Sequence, residues 1–378
     1  AHVTVEEHVA PIVEFKAWGA TFNELDWDAL GMLTRDEQDE ILKNVFSPEG
    51  DLRISRGRIS MNANDYARSW YSCDEVAGDL ELRYFNIDRD KQSIIPFIRA
   101  AQKYNPELTF WTSPWCPPSW MKITGDYPVL SSKFNHMPEK MNYILYGNVN
   151  DKVDPDEMKL VGRRGDKFPR QLATTDYFIQ DPRYLQAYAN YFCKFIDAYK
   201  EQGVNIDMVI YQNEAYSYTP YPGCAWTAEG TVRFNRDYLG PTLRQKHPEV
   251  KLYLGTFNTN RVDYVQKIVS DTKLQEYVSG MAFQWEGRES LPVLRKEHPE
   301  WNYMCSESEC GWGSFDWGAG EHTFELMNHY LGNGCNEYTF WNFILADNGE
   351  SPWGWKQNAV IRVDSEKRTF VYTPEYYA

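Results

Sequence analysis

Short apolar runs rich in β-branched and aromatic residues alternate along the chain with longer segments of helical periodicity. Eight such runs separated by helices are typical of the parallel strands of a (β/α)8 TIM barrel. The pattern predicts strands at 15–20, 52–60, 108–113, 207–212, 251–256, 280–285, 302–306 and 337–342. It predicts helices between them that include 34–44, 91–103, 182–202, 228–246 and 323–331. We therefore expect an α/β protein in which residues 1–378 form one (β/α)8-barrel domain.

The connection after the third predicted strand departs from this regular alternation. It spans 114–177, far more than an ordinary βα loop, and loops of that length usually serve a site. It carries the basic residues Arg163, Arg164, Lys167 and Arg170, a cluster that also fits a simple solvated loop.

The C-terminal segment reads as a β-hairpin at 360–364 and 368–372, followed by a helix start at Thr373-Pro374-Glu375. The few residues that remain before Ala378 are too short for an eighth barrel helix. We therefore expect a chain trimmed before that helix.

Composition and charge narrow the functional classes. The formal net charge is −15, which repels nucleic acid, so no nucleic-acid partner is expected. No run approaches the roughly 18 uncharged apolar residues of a membrane helix, so membrane insertion is not expected either. Aromatic residues make up 16% of the chain, with 14 Trp and 26 Tyr. Such rings suit stacking against sugars, and they equally suit a large core.

The cysteines give no sign of a metal centre. There are seven, an odd number without CxxC spacing, which argues against a zinc site and against complete disulfide pairing. Nucleotide-binding loops and a GxSxG elbow are also missing from the sequence. A weaker metal candidate is the set His322, Glu325 and His329, which shares one face of the last predicted helix without HExxH order. An ordinary solvated face explains it better, and no cofactor is expected.

Two glutamates follow predicted strands directly and carry the main chemical signal. Glu214 follows the fourth strand through Asn213, and Glu307 follows the seventh. A carboxylate beside a barrel core is costly unless it is paired or used, and the carboxyl ends of barrel strands hold the active site. Either residue alone also fits a surface loop acid. Together they favour the carboxyl pair of a glycosidase, one protonated and one ionised.

These and other motifs resemble glycoside hydrolase family 30, which contains lysosomal glucosylceramidase, bacterial β-1,6-glucanases and glucuronoxylanases. The resemblance covers nearly the whole chain. It implies a clan A (β/α)8 barrel that hydrolyses β-linked glycosides with retention of configuration and needs no cofactor. The motifs that carry it are Trp18-Gly19-Ala20, Ser113-Pro114-Trp115-Cys116-Pro117-Pro118-Ser119-Trp120-Met121-Lys122, Gln212-Asn213-Glu214, Asp237-Tyr238-Leu239-Gly240-Pro241-Thr242-Leu243 and Ser306-Glu307-Ser308-Glu309-Cys310.

The resemblance also implies roles for individual residues. Glu214 matches the general acid/base, Asn213 the neighbour that hydrogen-bonds the sugar 2-hydroxyl, and Glu307 the nucleophile. Glu309 is a rival nucleophile, because strand alternation places it on the same side as Glu307. We prefer Glu307, which follows Ser306 directly as the family's glutamate follows a small hydroxyl residue.

Further residues are assigned to the sugar pocket on the same basis. A pocket for sugar needs flat apolar faces together with polar donors, and each residue taken alone also fits a core or surface position. Arg56 matches a family arginine near the acid/base, and Trp285 belongs to the site beyond the cleavage point. The remaining pocket assignments are Asp65, Trp115, Trp341 and Asn358.

The chain departs from the family pattern at two places. Gln284-Trp285-Glu286 stands where glucosylceramidase has His, Trp and Tyr, so the site beyond the cleavage point is expected to differ. The segments that build the family's accessory β-sandwich are not recognised in the sequence, so we expect a barrel without that domain. We expect a monomer whose partner is a carbohydrate, and an exported protein (periplasmic, cell-surface or secreted), although the chain starts at Ala1 without a signal peptide.

The resemblance leaves the substrate open. A β-glucoside or β-1,6-glucan is the first expectation, and a β-1,6-galactan or a xylan is the alternative. A carbohydrate-binding barrel without turnover is the alternative from another class, and the presence of both glutamates argues against it.

Overall fold

The computed structural model describes residues 13–138 and 175–378, and in them eight parallel strands close into a barrel. Each strand pairs with the next in chain order, and the last pairs with the first through Ala17↔Glu337 to Ala20↔Phe340. This confirms the predicted (β/α)8 fold. The barrel strands are β1 Ala17–Phe22, β2 Arg56–Met61, β3 Thr109–Pro114, β4 Ile206–Ile210, β5 Lys251–Phe257, β6 Val278–Gln284, β7 Asn302–Glu307 and β8 Glu337–Phe340.

Helices cover the outside of the barrel, and their ends follow local sequence signals. The second helix begins with a capping box between Thr34 and Glu37. The fourth has Asp181 as N-cap and Pro182 in its first turn. The helices are α1 Glu24–Gly31, α2 Arg35–Phe46, α3 Ile94–Gln102, α4 Pro182–Glu201, α5 Ala228–Phe234, α6 Gly240–Lys246, α7 Val262–Val269, α8 Thr272–Gln275, α9 Leu291–Glu297, α10 Trp317–Gly332 and α11 Pro374–Tyr377.

Single turns of other helix types complete the connections. A 3-10 turn at Asp90–Gln92 precedes α3, and a π-helical turn at Asn235–Leu239 joins α5 to α6. Two further 3-10 turns, Ser119–Met121 and Trp285–Glu289, follow β3 and β6. The second of these turns lies at the carboxyl end of the barrel, where it contributes to the site described below.

The interior of the barrel is apolar in its middle and charged at both ends. The middle is filled by buried side chains that point inward from successive strands: Trp111, Met208, Ile210, Tyr253, Ala282 and Met304. Arg56 and Arg58 lie on the same strand two residues apart and therefore point to the same side of the sheet. Each is buried among carboxylates, Arg56 at the amino ends of the strands and Arg58 towards the carboxyl ends.

A small second sheet follows the barrel. The predicted C-terminal hairpin is confirmed as β10 Ile361–Asp364 and β11 Thr369–Tyr372, and β9 Ile344–Ala346, which the pattern did not predict, pairs with β10 in parallel. The final helix α11 packs on α10, where a Cβ added to Gly320 would lie 2.9 Å from Pro374.

Three further expectations concern the basic loop cluster, the cysteines and membrane-spanning helices. The basic residues Arg163, Arg164, Lys167 and Arg170 lie outside the described residues. All seven cysteines are buried free thiols. Within 13–138 and 175–378, the helices are all too short or too polar to be candidates for crossing a membrane.

Candidate active site

Glu307 ends β7 and is held by two donors inside the barrel mouth. Arg58 donates from Nη1 to Glu307 Oε2 at 2.6 Å, and the Trp285 indole N–H donates to Oε1 at 2.9 Å. Arg58 is fully buried, and Glu307 is nearly so. A charge-assisted hydrogen bond of this length is strong and holds the carboxyl group in a fixed orientation. Glu307 therefore has the environment that a nucleophile needs.

Glu214 follows β4 and has a different environment. The Gln284 amide donates to Oε1 at 2.8 Å, and the Ser217 hydroxyl donates to Oε2. Burial, and then the negative charge of Glu307, raises the pKa of Glu214 to about 7. A carboxyl with that pKa keeps its proton in slightly acidic solution, as a general acid must.

A network of amide and guanidinium groups joins the two glutamates. Asn213 Oδ1 accepts from Arg58 Nη2 at 2.7 Å, from Gln284 Nε2 at 3.2 Å and from the Thr256 hydroxyl at 3.3 Å. The Ser306 hydroxyl donates to Gln284 Oε1 at 2.8 Å, which turns the amide nitrogen of Gln284 towards Glu214. Each glutamate is thus connected through Asn213 to the groups that hold the other.

The backbone is also unusual at this point. Glu214 has φ 45° and Trp285 has φ 47°, both in the left-handed region that residues other than glycine rarely adopt. The Glu214 N–H donates to Thr256 Oγ1 at 3.1 Å. Conformations of this kind cost about 1–3 kcal/mol each and cluster at functional sites.

Stacked aromatic rings line one side of the network. Trp115 and Trp341 stack with ring centroids 5.1 Å apart, and the guanidinium carbon of Arg58 lies 4.4 Å from the centroid of Trp115. Both indoles are nearly fully buried. Asp65 lies nearby: burial, and then the charge of Glu307, raises the pKa of its carboxyl well above the usual value. The structure thus brings Asp65, Trp115 and Trp341 together with the two glutamates.

The expected position of Arg56 is wrong. Arg56 is the first residue of β2, at the amino ends of the strands, and forms a bidentate pair with Asp207 at 2.7 and 3.0 Å. Its Nε lies 2.7 Å from Glu337 Oε2. Because β2 begins at Arg56 and not at Leu52 as predicted, the arginine that reaches the glutamates is Arg58, two residues further along.

Two other expected residues have partners of their own. The Asn358 amide nitrogen donates to Glu375 Oε1 at 2.6 Å, so among the described contacts its Oδ1 and its second N–H remain for a ligand. Glu309, the rival nucleophile, forms an ion pair with Arg288, and its Oε2 lies 2.8 Å from His322 Nε2. Glu309 is therefore already neutralised by a cation, away from the network around Asn213.

The histidine set on α10 contacts protein groups. His322 contacts Glu309 as described, and His329 Nε2 lies 2.9 Å from the backbone oxygen of Arg288. Burial lowers the pKa of His322. Among the residues at 13–138 and 175–378, no group of three or more His, Cys, Asp or Glu is placed to hold a metal ion.

Sequence reasoning missed Arg58, Ser217 and Tyr221, and it noted Gln284 only as a departure from the family. A signal was present for Arg58: in the strand Arg56-Gly57-Arg58 the second arginine is closer to the carboxyl end. Tyr221 follows β4 on a loop, and the charges of Asp65, Glu214 and Glu307 add to burial in raising the pKa of its hydroxyl. The sequence holds no comparable signal for a loop tyrosine.

Comparison with known proteins places this chain in a family. The model of the glycosyl hydrolase family 30 TIM-barrel domain matches residues 15–133 and 178–378. Putative glucosylceramidase 1 of Caenorhabditis elegans is 27% identical over 357 residues, which is 89% of this chain and 60% of that protein. Endo-1,6-β-D-glucanase neg1 of Aspergillus fumigatus is 24% identical over 284 residues, 74% of this chain and 50% of that protein.

A solved structure agrees on the fold. An endo-β-1,6-glucanase superposes with a TM-score of 0.77 at 22% identity, covering 98% of this chain and 76% of that one. The chain spans about three fifths of the length of the curated glucosylceramidases that it matches. Because the family model matches far more than half of the chain, this chain belongs to glycosyl hydrolase family 30 and contains its TIM-barrel domain.

Proposed function

We propose that the protein is a retaining β-glycosidase in which Glu214 is the general acid/base and Glu307 the nucleophile. One observation carries this proposal: two buried carboxyl groups, connected through Asn213, have opposite environments. Glu307 faces a guanidinium and an indole N–H, whereas burial and the charge of Glu307 raise the pKa of Glu214 to about 7. Environments that separate the pKa values of two carboxyl groups are typical of acid and nucleophile pairs.

In the first step, Glu307 attacks the anomeric carbon while Glu214 gives its proton to the glycosidic oxygen. The bond between that carbon and oxygen breaks, and the leaving group departs with the proton. The Glu307 carboxylate becomes an ester and loses its charge. Because that charge helps to raise the pKa of Glu214, the pKa falls at this point. Glu214 can then take a proton from the water that releases the sugar.

Asn213 is suited to hold the sugar during this step. Its Oδ1 accepts three hydrogen bonds from the protein, so its amide nitrogen is the group that can donate to the 2-hydroxyl. Such a bond strengthens in the transition state and supplies several kcal/mol in glycosidases. Arg58 orients Asn213 and Glu307 together, since it donates to both.

For the substrate we propose a β-glucoside or a β-1,6-glucan. Sequence relatives named as a glucosylceramidase and an endo-1,6-β-D-glucanase support this choice. A β-1,6-galactan or a xylan is the second candidate within the family. Gln284, which contacts Glu214 directly, is the departure that argues against a close copy of the glucosylceramidase site.

The experiment is hydrolysis of β-1,6-glucan and aryl β-glucosides, followed by NMR from the first turnover. We expect reducing ends to appear as the β-anomer before mutarotation, with Glu307→Gln as the inactive control. Initial release of the α-anomer would contradict the double displacement. Binding of sugars without turnover of any of these substrates would support the carbohydrate-binding barrel.

We also propose that the protein acts as an exported monomer. A β-glucan is a polymer that would have to be met outside the cell membrane, which supports export. Fractionation of the source cells would locate the protein, and light scattering after gel filtration would give its mass in solution. Recovery in the cytoplasm, or a dimer at working concentration, would contradict the respective part.

A further inference from the structure

Four aromatic rings form a continuous line from the candidate active site to the surface. Tyr221 and Trp353 lie with ring centroids 4.4 Å apart, Trp353 and Trp355 at 5.0 Å, and Trp355 and Trp312 at 5.5 Å. The first two rings are buried and the third is half-buried. Trp312 is 63% exposed. Exposure therefore increases along the line, as in a path that leads outward.

The inner end of the line belongs to the site itself. The hydroxyl of Tyr221 lies within the field of Asp65, Glu214 and Glu307. The Trp353 indole N–H donates to the backbone oxygen of Asp65 at 3.1 Å. These two buried rings therefore connect the more exposed outer rings, Trp355 and Trp312, to the two glutamates.

The outer end is fixed by two glycines. Trp312 lies between Gly311 at φ 58° and Gly313 at φ 79°, conformations that favour glycine. A Cβ added to Gly313 would lie 2.5 Å from the backbone oxygen of Asn348, so the two loops approach closely there. Trp312 lies nearly parallel to Trp355, with 20° between the ring planes. The exposed indole thus stacks on Trp355 and leaves its other face to solvent.

The loop that carries Trp353 and Trp355 is tied to the barrel. The Tyr66 hydroxyl donates to the backbone oxygen of Gly349 at 2.7 Å, and the Ser351 N–H donates to that of Trp355 at 2.7 Å. These bonds hold both ends of the turn in which the two tryptophans lie. Rigid aromatic side chains supply contact area at a low cost in conformational entropy.

We propose that this aromatic line binds further sugar units of a β-linked oligosaccharide, beyond the sugar whose bond is cleaved. Large exposed rings held in place are characteristic of binding surfaces. Flat ring faces match the C–H face of a pyranose, and the exposed side chains of Glu350 and Lys356 beside them provide partners for sugar hydroxyls. An acyl chain would need an enclosed apolar groove. The identity of the sugar, a β-linked glucose, rests on the proposed function. The aromatic line adds that the preferred substrate is a glycan chain.

The test measures binding and so does not depend on turnover. Calorimetric titration of Glu307→Gln with β-1,6-linked gluco-oligosaccharides, from the disaccharide to the hexasaccharide, should give an affinity that rises with length. Adding Trp312→Ala should lower the hexasaccharide affinity by on the order of tenfold more than the disaccharide affinity. Trp312→Phe, which keeps an aromatic face, should restore most of it.

Trp317→Ala is the matched control. Trp317 is 64% exposed, begins α10 and lies outside the line, so its removal should leave the affinity for every length as in the parent. An affinity that does not rise with length, or that rises equally after Trp312→Ala, would overturn the proposal. So would tighter binding of long-chain alkyl β-glucosides than of the hexasaccharide. Length-dependent binding through Trp312 in a protein without turnover would support the aromatic line and refute the glycosidase.

Discussion

The two ends of the barrel each bury an arginine of β2 among carboxylates, yet the two clusters are balanced differently. At the amino ends, Arg56 meets Asp207 and Glu337 in close contacts. Burial lowers the pKa of Arg56, but the hydrogen bonds that Arg56 donates to Asp207 and the charges of both acids outweigh it, so the pKa is raised overall. Arg56 forms an ion pair with each acid, and Asp207 is partly exposed to solvent, so this cluster is an ion-pair network.

At the carboxyl ends, one arginine faces a surplus of acid. Arg58 contacts Glu307, and Glu214 and Asp65 also lie within its field. Burial is the largest influence and lowers the pKa of Arg58. The pKa values of Glu214 and Asp65 are raised, so the surplus charge is removed by protons. Two arginines of one strand thus have different roles: Arg56 stabilises the fold at the amino ends, and Arg58 lies among carboxyl groups, two of them protonated, at the carboxyl ends.

The largest difference in kcat between variants of the two ends is expected for their glutamates, Glu307 and Glu337. Glu307→Gln should lower kcat by on the order of 10⁴-fold, because it removes the nucleophile and leaves the rest of the site. Glu337→Gln should leave kcat near the wild-type value and lower the free energy of unfolding instead. Steady-state kinetics and urea unfolding on both variants measure the contrast. A folded Glu307→Gln enzyme with substantial activity would contradict the proposed role.

Substitution of Arg58 should lower activity and substitution of Arg56 should lower stability, as for the glutamates, but with a smaller kinetic effect. Arg58→Lys keeps the charge but cannot donate to Glu307 and Asn213 together, so we expect kcat/KM to fall by about 10²–10³-fold. Arg56→Gln leaves two acids without their cation and should cost about 3–5 kcal/mol of stability, with near-normal kcat for the folded fraction. The same two measurements apply. Equal kinetic losses in both variants would remove the distinction between the two ends.

The tryptophans give a third contrast, between the site and the barrel middle. Trp115→Ala or Trp341→Ala should weaken sugar binding and slow turnover by about tenfold or more, since these rings stack beside Arg58. Trp111 also contacts Arg58, with 4.8 Å from its ring centroid to the guanidinium carbon, but it packs among the apolar side chains of the barrel middle. Trp111→Ala should therefore cost about 3–5 kcal/mol of stability. Kinetics at a temperature where each variant is folded separate the effects. Loss of stability alone in the first two variants would make them core residues.

The smallest effect is a pH dependence due to Glu214. Because its pKa is raised to about 7, kcat/KM should decrease as pH rises through 7 and the acid loses its proton. Stability follows the same sign: the folded protein keeps a proton that the unfolded chain releases near pH 4.5, so wild type loses stability relative to Glu214→Gln as pH rises from about 4.5 to above 7. Unfolding curves at several pH values measure the difference. A stability difference between the two proteins that does not change with pH would mean that Glu214 does not carry this proton.

The sequence predicted the barrel well because its signals are periodic and local. All eight strands were recognised, and Glu214 and Glu307 were recognised because each follows a strand directly. β2 begins four residues later than predicted, and the family resemblance gave Arg56 a role for which Arg58 has the contacts. An interior position depends on the register of a strand with its neighbours, which a single strand does not contain.

Contacts between separate elements of the fold could not be predicted from the sequence. Gln284 acts on Glu214 only because Ser306 turns its amide, and Trp312 reaches Trp355 only because Gly313 lets two loops approach. The amide nitrogen of Asn358 donates to Glu375, from a helix distant in sequence. Such contacts depend on tertiary structure, and no local pattern records them.

The central claim is that Glu307, and not Glu309, is the nucleophile of a double displacement. Incubation with an activated 2-deoxy-2-fluoro β-glucoside, proteolysis and mass spectrometry test it most directly. We expect one added sugar mass on Glu307, since Arg58 and Trp285 hold that carboxylate in place while Arg288 pairs with Glu309. A sugar attached to Glu309, or turnover of the reagent without any covalent adduct, would contradict it.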